Sequence, residues 1–190
     1  MLHNTPLGGP SGRRWIDRWG PPMAGPMPSA SLTIEIGAAT GVGPTAMAAF
    51  DAALRRLGVG EANLIRLSSV IPPRATLERI GRVRTPISWG DRLYCVYAVR
   101  HTNEPGATAA AGIGWALRDD GTGAGLFVEH EGETAEEVND LIRSSLTAMT
   151  RHRPGPFGPP HLCTTETTSA GDPTCALVLA AYHTAPWSPW

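Results

Sequence analysis

Two adjacent hydroxyls, Ser68 and Ser69, sit inside the otherwise apolar run NLIRLSSVI and directly before Val70-Ile71-Pro72-Pro73, a placement that packing alone does not ask for. Few other residues combine into a reactive set. The six histidines, His3, His101, His130, His152, His161 and His183, show neither an HExxH pattern nor a paired metal spacing. Cys95, Cys163 and Cys175 form an odd set with no CxxC, so neither a disulfide framework nor a zinc site is expected. Small buried thiols are expected instead. The glycines of GVGP and GATAAAGIGW lack the GxGxxG spacing of a dinucleotide site. All 16 basic residues are arginine. Without a lysine amine the chain cannot build a pyridoxal-phosphate site, a Schiff-base aldolase or a P-loop.

The length of 190 residues, 42% hydrophobic and 17% charged, suits one globular domain. A net charge of -1 and the absence of like-charge runs advertise neither nucleic acid nor an anionic membrane as a partner. No stretch approaches the ~18 apolar residues of a membrane helix and the first residues lack a secretory apolar core, so a cytoplasmic location is expected. Residues 1–30, rich in Gly, Pro, Ser and Arg, read as a flexible extension in which Trp15 and Trp19 could dock one helical turn on a neighbour. Residues 31–190 then form the domain.

The elements that must hold the serines follow from periodicity. A strand is expected at 32–36, a Gly-rich turn at 38–45, and a helix over 45–57 with Met47, Phe50, Leu54 and Leu57 on one stripe, stopped by Gly58. Residues 63–71 form a β-type run ended by the two prolines. Further strands are expected at 93–101, 108–117, 124–130 and 174–182. Thr134 and Glu137 make a capping box for a second helix carrying Val138, Leu141, Ile142, Leu146 and Met149 on one face. Residues 151–173 read as a Pro- and Gly-rich loop. Several strands with two one-faced helices suggest an α/β (α+β) architecture with helices covering sheets rather than an alternating βαβ fold.

The segment AFDAALRRLGVGEANLIRLSSVIPP (49–73), followed by HTNEPG (101–106) and GLFVEHEG (125–132), resembles the pyruvoyl-dependent arginine decarboxylases in order and spacing over roughly 31–182. The resemblance implies an αββα-type sandwich with mostly antiparallel or mixed sheets. It also implies a proenzyme that cuts itself between Ser68 and Ser69 into chains 1–68 and 69–190. The Ser69 hydroxyl attacks the Ser68 carbonyl, the amide becomes an ester, and β-elimination leaves a dehydroalanine that hydrolyses to a pyruvoyl group. That covalent group, derived from Ser69, replaces pyridoxal phosphate, needs no metal, and forms a Schiff base with the substrate amine. The implied reaction is L-arginine to agmatine and CO2.

The same resemblance assigns Asn63 to self-processing and Glu129 to the general acid that protonates the α-carbon, with a raised pKa if it is buried. Asp51, placed at the edge of the first helix's apolar stripe, is costly without a partner, and a substrate guanidinium would satisfy it. Pairing with Arg55, Arg56 or a backbone amide is the alternative. Positions matching Leu54, Gly60, Ala62 and Ser68 line the implied substrate pocket. The chain departs from the family at Pro44, where a Glu is usual. A homotrimer, or a dimer of trimers, with active sites between subunits is implied. Two other readings remain: the same chemistry on another amino acid in a specialised pathway, and an unprocessed homologue that acts as a binding protein.

Overall fold

Thr45 and Gly58 bracket the first helix as the pattern predicts. In a computed structural model that describes residues 32–187, α1 (Ala46–Leu57) begins with the Thr45 hydroxyl accepting from the Ala48 N–H at 3.1 Å. It ends in a Schellman motif, with Gly58 at φ 82° and the N–H groups of Gly58 and Val59 bonded to the carbonyls of Arg55 and Leu54. The second helix, α2 (Ala135–Arg151), starts at Thr134, whose hydroxyl accepts from the Glu137 N–H. The Glu137 carboxylate returns to the N–H of Glu133 rather than Thr134, so the reciprocal half of the expected box closes one residue early. The expected extension over 1–30, with Trp15 and Trp19, lies outside the described residues.

The strands are β1 (Thr33–Val42), β2 (Asn63–Arg66), β3 (Val70–Ile71), β4 (Thr76–Ile80), β5 (Arg92–Thr102), β6 (Thr108–Leu117), β7 (Gly125–Gly132), β8 (His161–Thr168) and β9 (Thr174–Ala185). They form a five-stranded sheet, β2-β5-β9-β1-β4, and a four-stranded sheet, β3-β7-β6-β8. The β1/β4 and β2/β5 pairs are parallel and the rest antiparallel. Ile34, Ile36, Val96, Ile113, Phe127 and Val178 fill the space between the sheets. Leu54 and Leu57 seal α1 to the outer face of the first sheet, and Val138, Ile142 and Leu146 seal α2 to the second. Each such aliphatic burial stabilises by about 1.5–3 kcal/mol. The layers are therefore α, β, β, α, an α+β sandwich as expected. Among the described residues no helix is long and apolar enough to cross a membrane.

Several expectations need correction. The run 63–71 is not one strand: β2 and β3 lie in different sheets. β1 continues to Val42, through most of the segment expected to be a turn. β4 and β8 add to the expected strands, the latter inside the supposed loop 151–173. On α1 the buried residues are Ala49, Ala53, Leu54 and Leu57, while Met47 is 74% exposed. The helix turns its small side inward because it lies against Gly41 of β1, where a β-carbon would overlap the Ala49 carbonyl. Asp51 is consequently exposed, not at the edge of a buried stripe.

One buried carboxylate fixes the segment between β4 and β5. Glu35 of β1, 4% exposed, accepts from the Arg84 N–H and Nε and from the N–H and hydroxyl of Thr85. Burial alone pushes its pKa up, but these hydrogen bonds outweigh burial and hold it below its ordinary 4.5. A depressed folded pKa contributes stability above the unfolded value, and that contribution is lost as pH falls through the folded one. Glu35→Gln is expected to lower the urea midpoint at pH 7, with the difference from the parent fading below about pH 4. An equal difference at both pH values would remove the charge from the explanation.

Candidate functional site

Because β2 pairs with β5 and β3 with β7, the chain has to cross from one sheet to the other over residues 67–69. The Leu67 N–H still bonds the Cys95 carbonyl at 2.9 Å, whereas the Ser69 carbonyl already accepts from the Phe127 N–H of β7 at 2.8 Å. The two serines occupy the crossing. Ser69 has φ 66°, a left-handed conformation that costs a residue with a β-carbon roughly 1–2 kcal/mol. Strain of this kind persists only where surrounding contacts over-determine it, and it concentrates at reactive sites.

Those contacts are present. The Ser69 hydroxyl donates to Glu129 Oε1 at 2.6 Å, short enough for a charge-assisted bond. The Tyr182 hydroxyl donates to the Val70 carbonyl at 3.0 Å. Burial first, then the nearby Glu129 charge, push the Tyr182 phenol above its ordinary pKa, so it stays a donor. Glu129 itself is half-buried on β7, and Ser68 is exposed. The crossing thus holds a hydroxyl, the carbonyl before it and a carboxylate able to take its proton.

A second group of predicted residues gathers elsewhere. Asp51, Gly60, Ala62 and Asn63 line an open cavity of about 630 Å³ together with Glu61 and Trp89. Asn63 donates from Nδ2 to the Gly90 carbonyl at 2.7 Å. Glu35 reaches this cavity indirectly, since the segment it anchors at Arg84 and Thr85 continues to Trp89 and Gly90. Asp51 makes no ion pair among the described residues, and Arg56 donates to the Thr40 carbonyl instead. Arg55 lines the same cavity without pairing to Asp51, so the ion pair of Asp51 with a neighbouring arginine is not formed, and Asp51 and Glu61 share the wall.

The two groups do not meet within one chain. Asn63 opens β2 and the serines follow its end, so at least the length of the strand, about 10 Å, separates them. Leu54 lies buried under α1 and lines neither space. No sequence signal marks the Phe127 amide or Tyr182, whose relevance comes from register alone. Trp89 and Glu61 are equally hidden in the pattern, although an 87%-exposed tryptophan is unusual enough to mark a surface.

The cysteines carry no chemistry at this site. Burial pushes Cys95 and Cys175 up to about 12 and raises Cys163 as well, so none is a thiolate near neutrality. Among the described residues no three His, Cys, Asp or Glu side chains gather to hold a metal ion.

Residues 33–186 match the family model described as pyruvoyl-dependent arginine decarboxylase. A protein of that name from Halobacterium salinarum is 40% identical over 151 residues, 78% of this chain and 92% of the relative. One from Thermococcus kodakarensis is 38% identical over 146 residues, 76% and 90% of the two chains. A third, from Methanocaldococcus jannaschii, is 32% identical over 112 residues, 58% and 66%. With nearly the whole described fold matched, and a serine pair on a strained crossing against a glutamate, the chain belongs to the pyruvoyl-dependent arginine decarboxylase family.

Proposed function

We propose that the chain cuts itself between Ser68 and Ser69 and then decarboxylates L-arginine to agmatine and CO2. The observation that carries this reading is the Ser69 hydroxyl at 2.6 Å from Glu129 on a backbone held at φ 66°. Glu129 takes the hydroxyl proton as the oxygen adds to the Ser68 carbonyl. Opening the strained turn favours the cut.

The residues around the crossing fit a pyruvoyl group derived from Ser69. That group supplies an electrophilic ketone for the substrate's amine and a sink for the electron pair released with CO2. The Phe127 N–H, bonded to the Ser69 carbonyl, polarises the amide next to that ketone. Tyr182 holds the Val70 carbonyl and keeps the segment in place. Glu129 returns a proton to the α-carbon. Asp51 takes the guanidinium, with Glu61 beside it and Gly60, Ala62 and Asn63 forming the wall.

The separation of the two groups supports an assembly in which the Asp51 cavity of one subunit faces the Ser69–Glu129 centre of the next, in a trimer or a pair of trimers. Asn63 then acts on a neighbour's crossing. Exposed Ile65, Val70 and Trp89 lie beside the two groups and are available for that contact.

Denaturing mass spectrometry tests the reading directly. Two fragments, 1–68 and 69–190, with a ketone-reactive end on the larger, together with arginine-dependent CO2 release, are expected; one intact chain would refute it. Glu129→Gln keeps the shape but removes both the base of the cut and the acid of turnover, so it is expected to slow self-cleavage and to lower kcat, per cleaved chain, about 10²–10⁴-fold. Wild-type turnover by that variant would assign the proton to another group.

A further inference from the structure

Glu129 lines a smaller cavity of about 230 Å³. There β5 runs on past its pairing with β2, and β7 past its pairing with β3. Arg66, the last residue of β2, reaches this cavity from three positions before Ser69. Its guanidinium carbon lies 4.9 Å from the centre of the Tyr97 ring, and Nη2 donates to the Tyr97 carbonyl at 3.1 Å. These two contacts fix the plane of the guanidinium while using one of its five donors. Arg66 forms no ion pair among the described residues. Glu129, His130 and Glu131 also line the cavity, and Arg66 is the one guanidinium among the described residues of its wall.

The carboxylate lost in the reaction is bonded to the same carbon that Glu129 protonates. It must therefore lie in space that adjoins both Glu129 and the crossing. Glu131 in the same wall repels a carboxylate, and the fixed guanidinium of Arg66 offsets that repulsion and orients the group through a charge-assisted bond. We propose that Arg66 receives the α-carboxylate of the substrate. The inference rests on the decarboxylase reading above and extends it to a residue at the reacting end.

The contact is strongest before the bond breaks, because the negative charge leaves the carboxylate as CO2 forms. Arg66 thus contributes to substrate binding more than to the chemical step. Agmatine has no carboxylate and does not sense it.

Arg66→Met keeps the aliphatic stem over Tyr97 and removes the charge. It is expected to raise KM for arginine about 10- to 100-fold. The inhibition constant of agmatine should stay within twofold and kcat within a few-fold, and Arg66→Lys should recover part of the loss. Equal losses for arginine and agmatine would mark a structural role and overturn the assignment, as would an unchanged KM. If Arg66→Met stays uncut, arginine and agmatine are titrated calorimetrically into the Ser69→Ala chain with and without it. Weakening of arginine alone upholds the proposal, and parallel or absent changes overturn it. Failure of the parent protein to cleave or to use arginine would instead overturn the decarboxylase reading.

Discussion

Ser69→Ala is expected to leave one unbroken chain of 190 residues that releases no CO2 from arginine. Alanine removes the nucleophile that attacks the Ser68 carbonyl and, with it, the precursor of the ketone, so both self-cleavage and turnover go to background. The fold should be little affected. Alanine carries the same β-carbon at φ 66°, so the backbone strain is unchanged. The substitution takes away the hydroxyl's bond to Glu129, worth about 1–3 kcal/mol with a charged acceptor. A loss of activity far larger than the loss of stability separates a chemical role from a packing one. Denaturing mass spectrometry and urea unfolding of the same preparation give both quantities. Cleavage that persists in Ser69→Ala would move the nucleophile elsewhere, and a parent chain that is never cut would leave the unprocessed binding protein as the better account.

The parts of the fold legible in the sequence are those whose period is imposed by burial on one side. α2 buries Val138, Ile142 and Leu146 at helical spacing, and its capping residue marks its start. β4 and β8 escape the pattern because both are edge strands, so TLERI and HLCTTETT keep polar side chains and weak alternation. For α1 the periodicity locates the helix but not the face it buries. Large apolar residues suggest a stripe through Met47, whereas close approach to β1 selects the small Ala49 and Ala53. The difference moves Asp51 from a half-buried edge to the surface, although the cation binding proposed for it does not depend on burial. The serines stand out because hydroxyls interrupt an apolar run. What the run cannot reveal is that its two halves belong to different sheets, which requires knowing the partners of β2 and β3. Arg66 in the same run carries a comparable signal, a charge among apolar residues.

Asp51→Ala should separate binding from processing. The carboxylate lies in a cavity distinct from the crossing, so the variant is expected to self-cleave at the parent rate. Turnover of arginine is expected to fall about 10²–10³-fold in kcat/KM, the worth of a two-point contact between charged groups, with Glu61 sustaining a remnant of activity. Normal arginine turnover would refute the guanidinium assignment. The variant also tests where the site is assembled. A Ser69→Ala chain keeps the Asp51 cavity, and an Asp51→Ala chain keeps the reactive end. In a ring where each subunit lends its cavity to the next, random co-assembly of equal amounts places an intact cavity against an intact reactive end at about one interface in four. Mixed assemblies should therefore recover about a quarter of parental activity. If each site were complete within one chain, no mixture could regain any, because every chain would lack one half. Recovery on co-assembly thus distinguishes the two arrangements independently of how large the loss in either single variant proves to be.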